Sequence, residues 1–359
     1  MRKIFFTPGP SQLYLTLRGH IDTALKEGVC SISHRGGQFA DIYRNTAAGI
    51  KQILGVPDNF DVIYTSSATK AMEIVVRSCV KKHILHFVNG AFGQRFFEVS
   101  KNNGKEPSKY EVMAGDGFDM QDFDVPKNVE LICFTHNETS IGAAVPLDTI
   151  YKARAGNPDA LIAVDIVSSA PYVSLDFNMV DFVFFSVQKG FGMPAGLGIA
   201  IVSGRAVEKA KFLSRTDCFA GGYFNLANIH QRAQKCQTIE TPNVLAIYLL
   251  GKICNDFLEK GIQNIRKETD KKADLIYRAI DGHRTLKPFI ANGRLRSKTI
   301  ITADGGGEAA GIIARLAARG FIVGKGYGEH KDRCIRIANF PAHTVEDTRE
   351  LINLLNEPM

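Results

Sequence analysis

Short apolar runs alternate with longer stretches of helical spacing through the first part of the chain. The runs are Val62-Ile-Tyr, His83-Ile-Leu-His-Phe-Val, Leu131-Ile-Cys-Phe, Leu161-Ile-Ala-Val, Phe182-Val-Phe-Phe and Gly198-Ile-Ala-Ile-Val. Each is short and rich in β-branched and aromatic residues, which predicts strands. Between them the spacing changes. Phe39, Ile42, Tyr43, Ala47, Ile50, Ile53 and Leu54 recur at helical intervals, and Gly55-Val-Pro-Asp-Asn closes that helix with turn residues. Strands alternating with helices predict an α/β fold, a mainly parallel sheet covered on both faces. The last two runs are joined by a short Gly/Pro loop after Lys189, which predicts one antiparallel pairing. From about Thr241 the character shifts. Val244 to Leu258 and Ile262 to Ile280 predict long helices, and Thr299-Ile-Ile-Thr and Ile335-Arg-Ile-Ala predict short strands. Thr344-Val-Glu-Asp reads as the capped start of a final helix carrying Leu351, Ile352 and Leu355. This second part is an α+β unit.

Composition narrows the class of protein. With 359 residues, 45% hydrophobic and 23% charged, the chain is ordinary globular material. No apolar stretch approaches the roughly 20 residues of a membrane span. The N-terminus carries neither a long apolar core nor a small-residue cleavage site, so no membrane association and a cytoplasmic location are expected. The net charge of +7 is scattered. Its densest cluster, Lys267 to Lys272, is interrupted by Glu268 and Asp270 and reads as the solvated face of a helix. No recognition motif accompanies it, and no nucleic-acid partner is expected. Seven cysteines show no C-x-x-C pair, and Cys218, Cys236 and Cys254 are the nearest neighbours; reduced, buried thiols are expected. His83 and His86 lie in a strand-like run without further ligands nearby. They read as structural, and no metal site is expected.

The chemistry concentrates at strand ends, where α/β proteins gather functional groups. The run Phe182-Val-Phe-Phe leads to Lys189, and Leu161-Ile-Ala-Val delivers Asp165. An amine and a carboxylate at neighbouring strand ends are what pyridoxal phosphate asks of its protein: a Schiff-base lysine and an acid that keeps the pyridine nitrogen protonated. A buried Lys–Asp ion pair accounts for the same two residues, and both readings stand at this point. Thr65-Ser-Ser-Ala-Thr-Lys-Ala follows a strand and opens a helix, either as a phosphate cradle or as ordinary capping. Phe92 follows a strand in a loop of small residues, where an aromatic could lie on a cofactor ring or simply fill the core. Thr139 ends the strand starting at Leu131 and could hydrogen-bond a phenolate oxygen.

Taken together, Thr7-Pro-Gly-Pro, Ser33-His-Arg-Gly, Asn137-Glu-Thr, Asp165 with Ser168-Ser169, and Gln188-Lys189 before the Gly-rich loop resemble the class V branch of fold-type I pyridoxal-phosphate enzymes. Within that branch they look like the phosphoserine aminotransferases. The resemblance runs from Thr7 to Arg336. It implies a seven-stranded, mainly parallel sheet in a large cofactor-binding domain (21–243), a smaller C-terminal domain (244–359), and an N-terminal segment (1–20) over the active site. It further implies a Schiff base at Lys189 and an Asp165 contact to the pyridine nitrogen. Thr139 would bind the ring oxygen, and Phe92 would stack where the family usually places tryptophan. Thr69 and Lys70 with Gln188 would meet the cofactor phosphate, as would Thr241, sent across a homodimer interface to a shared active site. Arg336 looks like the family's carboxylate-binding arginine, and His34 and Arg35 resemble the pair that meets the second acidic group.

The implied activity is transfer of an amino group between glutamate and 3-phosphohydroxypyruvate, with small amino acids and keto acids as partners. The alternative is an alanine- or serine-glyoxylate transaminase of the same class. Three departures bear on the choice. Glu240 stands where the family has asparagine, Lys70 where it has arginine, and Gly320-Phe-Ile where it has Gly-His-Arg. Lys325, His330 and Lys331 are candidate replacement charges. A dehydrogenase is disfavoured, because no Gly-x-Gly-x-x-Gly follows the first strand.

Overall fold

The computed structural model describes residues 2–118, 123, 125–216 and 222–357. Its larger sheet has seven strands in the spatial order Phe60–Thr65, Gly198–Ser203, Phe182–Ser186, Leu161–Asp165, Leu131–Thr135, His83–Val88 and Glu106–Glu111. The strands from Phe182–Ser186 to Glu106–Glu111 pair in parallel. Gly198–Ser203 runs antiparallel to both of its neighbours, as the short loop after Lys189 requires. Every residue of Leu131–Thr135, Leu161–Asp165 and Phe182–Ser186 is buried. Helices cover both faces of a parallel sheet, which is why these strands read as continuous apolar runs rather than alternating ones.

All six runs identified from the sequence are strands of this sheet. The seventh, Glu106–Glu111, was not among them. It is Glu-Pro-Ser-Lys-Tyr-Glu, a polar strand at the sheet edge in which Glu106, Ser108, Lys109 and Glu111 are exposed and Pro107 and Tyr110 half-buried. Charge and proline there protect an exposed edge from pairing with another chain, and they also hide the strand from a hydrophobicity reading.

The helix Gly37–Leu54 stops at Gly55, which takes the left-handed conformation (φ 69°) and donates to the Lys51 carbonyl. Against it packs Val244–Lys260, with glycine on both sides of the contact. A Cβ on Gly49 would stand 2.8 Å from Cys254 Cβ, and one on Gly251 would stand 2.5 Å from Thr46 Oγ1. Ile247, Leu250, Ile253 and Phe257 belong to the larger core. Val244–Lys260, grouped by sequence pattern with the C-terminal unit, therefore packs into the core of the larger sheet.

A second core lies under the smaller sheet, ordered Ile4–Phe6, Phe321–Lys325, Cys334–Ala338, Ile300–Asp304 and Lys287–Pro288. The N-terminal strand Ile4–Phe6 runs parallel to Phe321–Lys325. Ile262–Asp281 and Val345–Asn356 pack behind this sheet, and Thr344 with Asp347 forms the expected capping box. Among the described residues no helix is long and apolar enough to cross a membrane.

Two expectations need correction. Lys272 does not lie on a solvated face: it is 1% exposed, and its Nζ donates to the carbonyls of Phe340 (3.0 Å) and His343 (2.6 Å). Helical spacing puts it one residue beyond the exposed Lys271, on the stripe that faces the smaller sheet. The thiols are not uniformly buried either. Cys79, Cys133, Cys254 and Cys334 are, but Cys30 is exposed and Cys236 half-buried, while Cys218 lies outside the described residues. His86 is a structural histidine, bonded to Ser100 Oγ at 2.9 Å.

Burial pushes the pKa of His86 down to about 3, and those of His136 and His343 to about 4. The unfolded chain takes up these protons near pH 6.5, while the folded chain refuses them. Stability is therefore expected to fall as pH is lowered from about 6.5 towards 4, by a few kcal/mol in total. Denaturant titrations across this range check it; a flat profile would show that these rings are protonated in the fold.

Candidate active site

The carboxyl ends of the parallel strands bring the candidate residues to one edge. Phe182–Ser186 runs on to Lys189, and Leu161–Asp165 ends on Asp165 beside it. Lys189 is 5% exposed, and its Nζ donates to Thr139 Oγ1 at 2.8 Å while standing 5.1 Å from the Phe92 ring centroid. Asp165 is 3% exposed, and its Oδ1 accepts from the Val167 backbone at 2.8 Å. Among the described residues the two do not form a direct ion pair. The chain turns sharply after Lys189, where a Cβ on Gly190 would fall 1.9 Å from the Ala170 carbonyl oxygen. Burial holds the Lys189 amine below the usual lysine range and pushes the Asp165 carboxyl above the usual carboxylate range; each charge opposes that effect on the other, but burial prevails.

Thr139 ties several groups together. Its hydroxyl accepts from Lys189 and donates to Ser168 Oγ at 2.9 Å, while Ser168 Oγ donates to the Asn137 carbonyl at 2.8 Å. The Thr139 carbonyl accepts from Arg336 Nη1 at 3.0 Å. Arg336 Nε is engaged by the Lys325 carbonyl at 2.8 Å, and the guanidinium lies 5.4 Å from the Tyr327 ring. Those bonds fix the plane of the guanidinium in the wall of the site, and among the described residues Nη2 has no hydrogen-bond partner.

Two helix starts complete the wall. Ala68–Cys79 begins with Ser67 accepting from the Lys70 backbone at 3.2 Å, and Ala68 N–H donates to Ser186 Oγ at 2.8 Å. Ala91–Asn102 begins on Glu138, which is fully buried. One carboxylate oxygen accepts from the N–H groups of Phe92 (2.9 Å) and Gly93 (3.0 Å), and the other from Ser140 N–H (3.0 Å) and Ser140 Oγ (2.6 Å). That carboxylate sets the direction in which Phe92 enters the site.

Lys189, Asp165, Phe92, Thr139, Thr69, Gln188 and Arg336 all line one cavity of about 330 Å³. Lys70 does not. Its amine bonds Glu73 at 3.1 Å and lies 5.1 Å from the Phe224 ring. Thr241 and Glu240 line a separate cavity of about 300 Å³ behind Thr65 and Ser66. Arg35 is exposed and donates to Gln237 Oε1 (3.1 Å) and the Thr238 carbonyl (2.9 Å), close in sequence to Thr241, and His34 is half-buried next to it. Neither lines the Lys189 cavity. Lys325, His330 and Lys331 do not line it either, though Tyr327 from the same loop does.

The family model of the class V aminotransferases matches residues 7–332. The chain belongs to the class V aminotransferases. A phosphoserine aminotransferase of Rhodococcus opacus strain B4 is 27% identical over 327 residues, covering 90% of this chain and 86% of its own length. The solved structure of a phosphoserine aminotransferase from Cytophaga hutchinsonii matches with a TM-score of 0.97 and 42% identity, over 99% of both chains. An alanine–glyoxylate aminotransferase from Nostoc sp., 20% identical with a TM-score of 0.81 over 99% of this chain and 95% of its own, shares the fold. This aminotransferase thus has fold type I and depends on pyridoxal phosphate.

Sequence reasoning passed over several residues of the site, among them Arg95, Thr135, Ser186, Tyr327 and Glu138. Arg95 lines the cavity one helical turn after Phe92, with its guanidinium 4.9 Å from that ring; the spacing was a usable signal. Ser186 and Tyr327 had no signal beyond lying near Lys189 and Arg336. Glu138 was passed over within Asn137-Glu-Thr, although its neighbours were quoted. Because all four contacts to Glu138 are donors, Glu138→Gln would turn an NH2 group towards N–H groups. It is expected to cost about 1–3 kcal/mol of stability. Denaturant unfolding measures this, and equal stability of the two proteins would contradict the assignment.

Proposed function

We propose that this aminotransferase moves the amino group of glutamate to 3-phosphohydroxypyruvate, giving phosphoserine and 2-oxoglutarate for serine synthesis. The observation that carries the reading is the convergence of the Lys189 amine, the Asp165 carboxylate and the Arg336 guanidinium on one cavity. Full-length similarity to a phosphoserine aminotransferase at 42% identity supports the substrate choice.

The cavity residues fit pyridoxal phosphate. Gln188 Oε1 and Thr135 Oγ1 are buried there without a hydrogen-bond partner, an aromatic ring stands beside the amine, and the start of Ala68–Cys79 opens onto the same space. When bound, the cofactor supplies an aldehyde that condenses with amines and a ring that accepts the electron pair left when a Cα proton departs. Asp165 would hold a proton on the ring nitrogen, and Lys189 would be the amine that carries the cofactor. Its proton affinity is lowered by burial, which suits it to carry the Cα proton when free. Thr139 would offer its hydroxyl to the ring oxygen, and Phe92 would stack on the ring. Thr69, Gln188 and the N–H groups at the helix start would hold the phosphate, with Lys70 as a nearby charge. Arg336 grips the α-carboxylate, for which its planar fork is suited.

His34, Arg35 and Thr241 lie away from the cavity of their own chain, which supports a homodimer in which each copy completes the other's site. Thr241 would then reach the partner's phosphate site, and His34 with Arg35 the second acidic group of the substrate. Residues 1–20 lie over the site in this reading, 21–243 hold the cofactor, and 244–359 bring Arg336. The cytoplasm is where such a biosynthetic transfer belongs.

A glyoxylate-dependent transaminase is favoured by one observation: a single chain brings Arg336 to the cavity but neither His34 nor Arg35. Transamination of glutamate with 3-phosphohydroxypyruvate, pyruvate and glyoxylate separates the two. Turnover is expected with the phosphorylated acceptor, and Lys189→Ala is expected to abolish it. Turnover of glyoxylate alone would overturn the substrate assignment.

A further inference from the structure

The N-terminal strand Ile4–Phe6 belongs to the smaller sheet, yet the residues that follow it cross to the larger unit and lie on Lys189. Pro8 and Gly9 line the same cavity as the amine. A Cβ placed on Gly9 would stand 2.8 Å from Lys189 Cε and 2.9 Å from Cγ, so the backbone of Gly9 touches the methylene chain of the lysine. Gly9 also has φ +140°, a conformation that only glycine adopts readily. On the other side, Pro8 rests on the smaller sheet. A Cβ on Gly324 would stand 2.5 Å from Pro8 Cδ, and Gly324 is registered opposite Arg336. Beyond Gly9 the strand of chain is tied down again, with Ser11 N–H on the Gln188 carbonyl (3.1 Å) and Tyr14 N–H on the Gly192 carbonyl (2.8 Å).

Two glycines thus make room for one strap. Gly324 admits the Pro8 ring, and Gly9 admits the lysine chain. Tight packing transmits small displacements rather than absorbing them. The strap therefore joins the strand that carries Arg336 to the side chain that carries the reactive amine, in addition to the link through Thr139. We propose that Pro8-Gly9 is a positioning element that presses the Lys189 chain into register with Thr139 and ties its placement to the Arg336 strand. Neither residue offers a side-chain group to the reaction. The inference rests on the reading of Lys189 as the amine that holds the cofactor.

The test uses full-length protein with Gly9→Ala and, as the milder change, Pro8→Ala. In cofactor-free protein, reductive methylation with formaldehyde and cyanoborohydride is followed residue by residue by mass spectrometry, with surface lysines as internal reference. Both variants are expected to methylate Lys189 faster than the wild type, because the amine leaves its bond to Thr139. In the loaded enzyme, kcat is expected to fall, on the order of 100-fold for Gly9→Ala, with little change in KM, as a misplaced reacting group predicts. Pro8→Ala alone decides the matter if Gly9→Ala does not fold. Unchanged Lys189 methylation and unchanged kcat, with only a lower melting temperature, would overturn the inference. Borohydride treatment of wild-type holoenzyme tests the underlying reading separately: cofactor fixed on a residue other than Lys189 would sink that reading, whatever the variants do.

Discussion

Burying an amine and a carboxylate in one cavity is costly unless each has other partners, and the architecture of this site follows from that constraint. Lys189 is held by a hydroxyl and Asp165 by a backbone N–H, so neither uses the other as a counter-ion. A direct ion pair would satisfy both charges and leave nothing to act on a ligand. Keeping them apart requires rigid supports, which here are central strands buried on both faces.

Much of the remaining wall is main chain held by buried side chains. Glu138 collects three N–H groups and a hydroxyl and thereby orients Phe92. Ser186, at the end of the strand leading to Lys189, accepts from the first residue of the helix Ala68–Cys79, whose start lines the cavity. Thr139 serves two masters, its hydroxyl bonding the lysine and its carbonyl the arginine. A disturbance at any of these reaches the amine through one or two contacts, in the manner of supporting shells around preorganised sites.

The smaller sheet contributes through contact rather than through continuity. Its strand Cys334–Ala338 carries Arg336 to the cavity, and its first strand sends the Pro8-Gly9 segment across the lysine. Lys272 and His343 anchor this unit from behind, the lysine on two carbonyls and the histidine on the Phe5 carbonyl at 3.0 Å. Buried polar groups of this kind need hydrogen-bond partners, and the bond from His343 to Phe5 ties the N-terminal strand to this unit.

Periodicity and composition by themselves determined six strands of the larger sheet, the antiparallel hairpin, the helices Gly37–Leu54, Val244–Lys260 and Ile262–Asp281, and the final capped helix, because each is a local pattern set by burial on one or two faces. That Lys189, Asp165 and Thr139 meet was legible too, since strand ends in an α/β fold converge on one edge; Arg336, on the smaller sheet, was reached only through the family resemblance. Tertiary structure alone decided the rest. Glu106–Glu111 is a strand only because it pairs with His83–Val88, a non-local contact that its polar sequence cannot announce. Lys272 is buried because two distant carbonyls receive it. Lys70 is turned from the cavity by Glu73, and Arg35 and Thr241 lie apart from Lys189, which spacing along a chain cannot express. The placement of Gly9 against Lys189 depends on residues 180 positions apart being packed to within a methyl group's width, and only the folded chain brings them together.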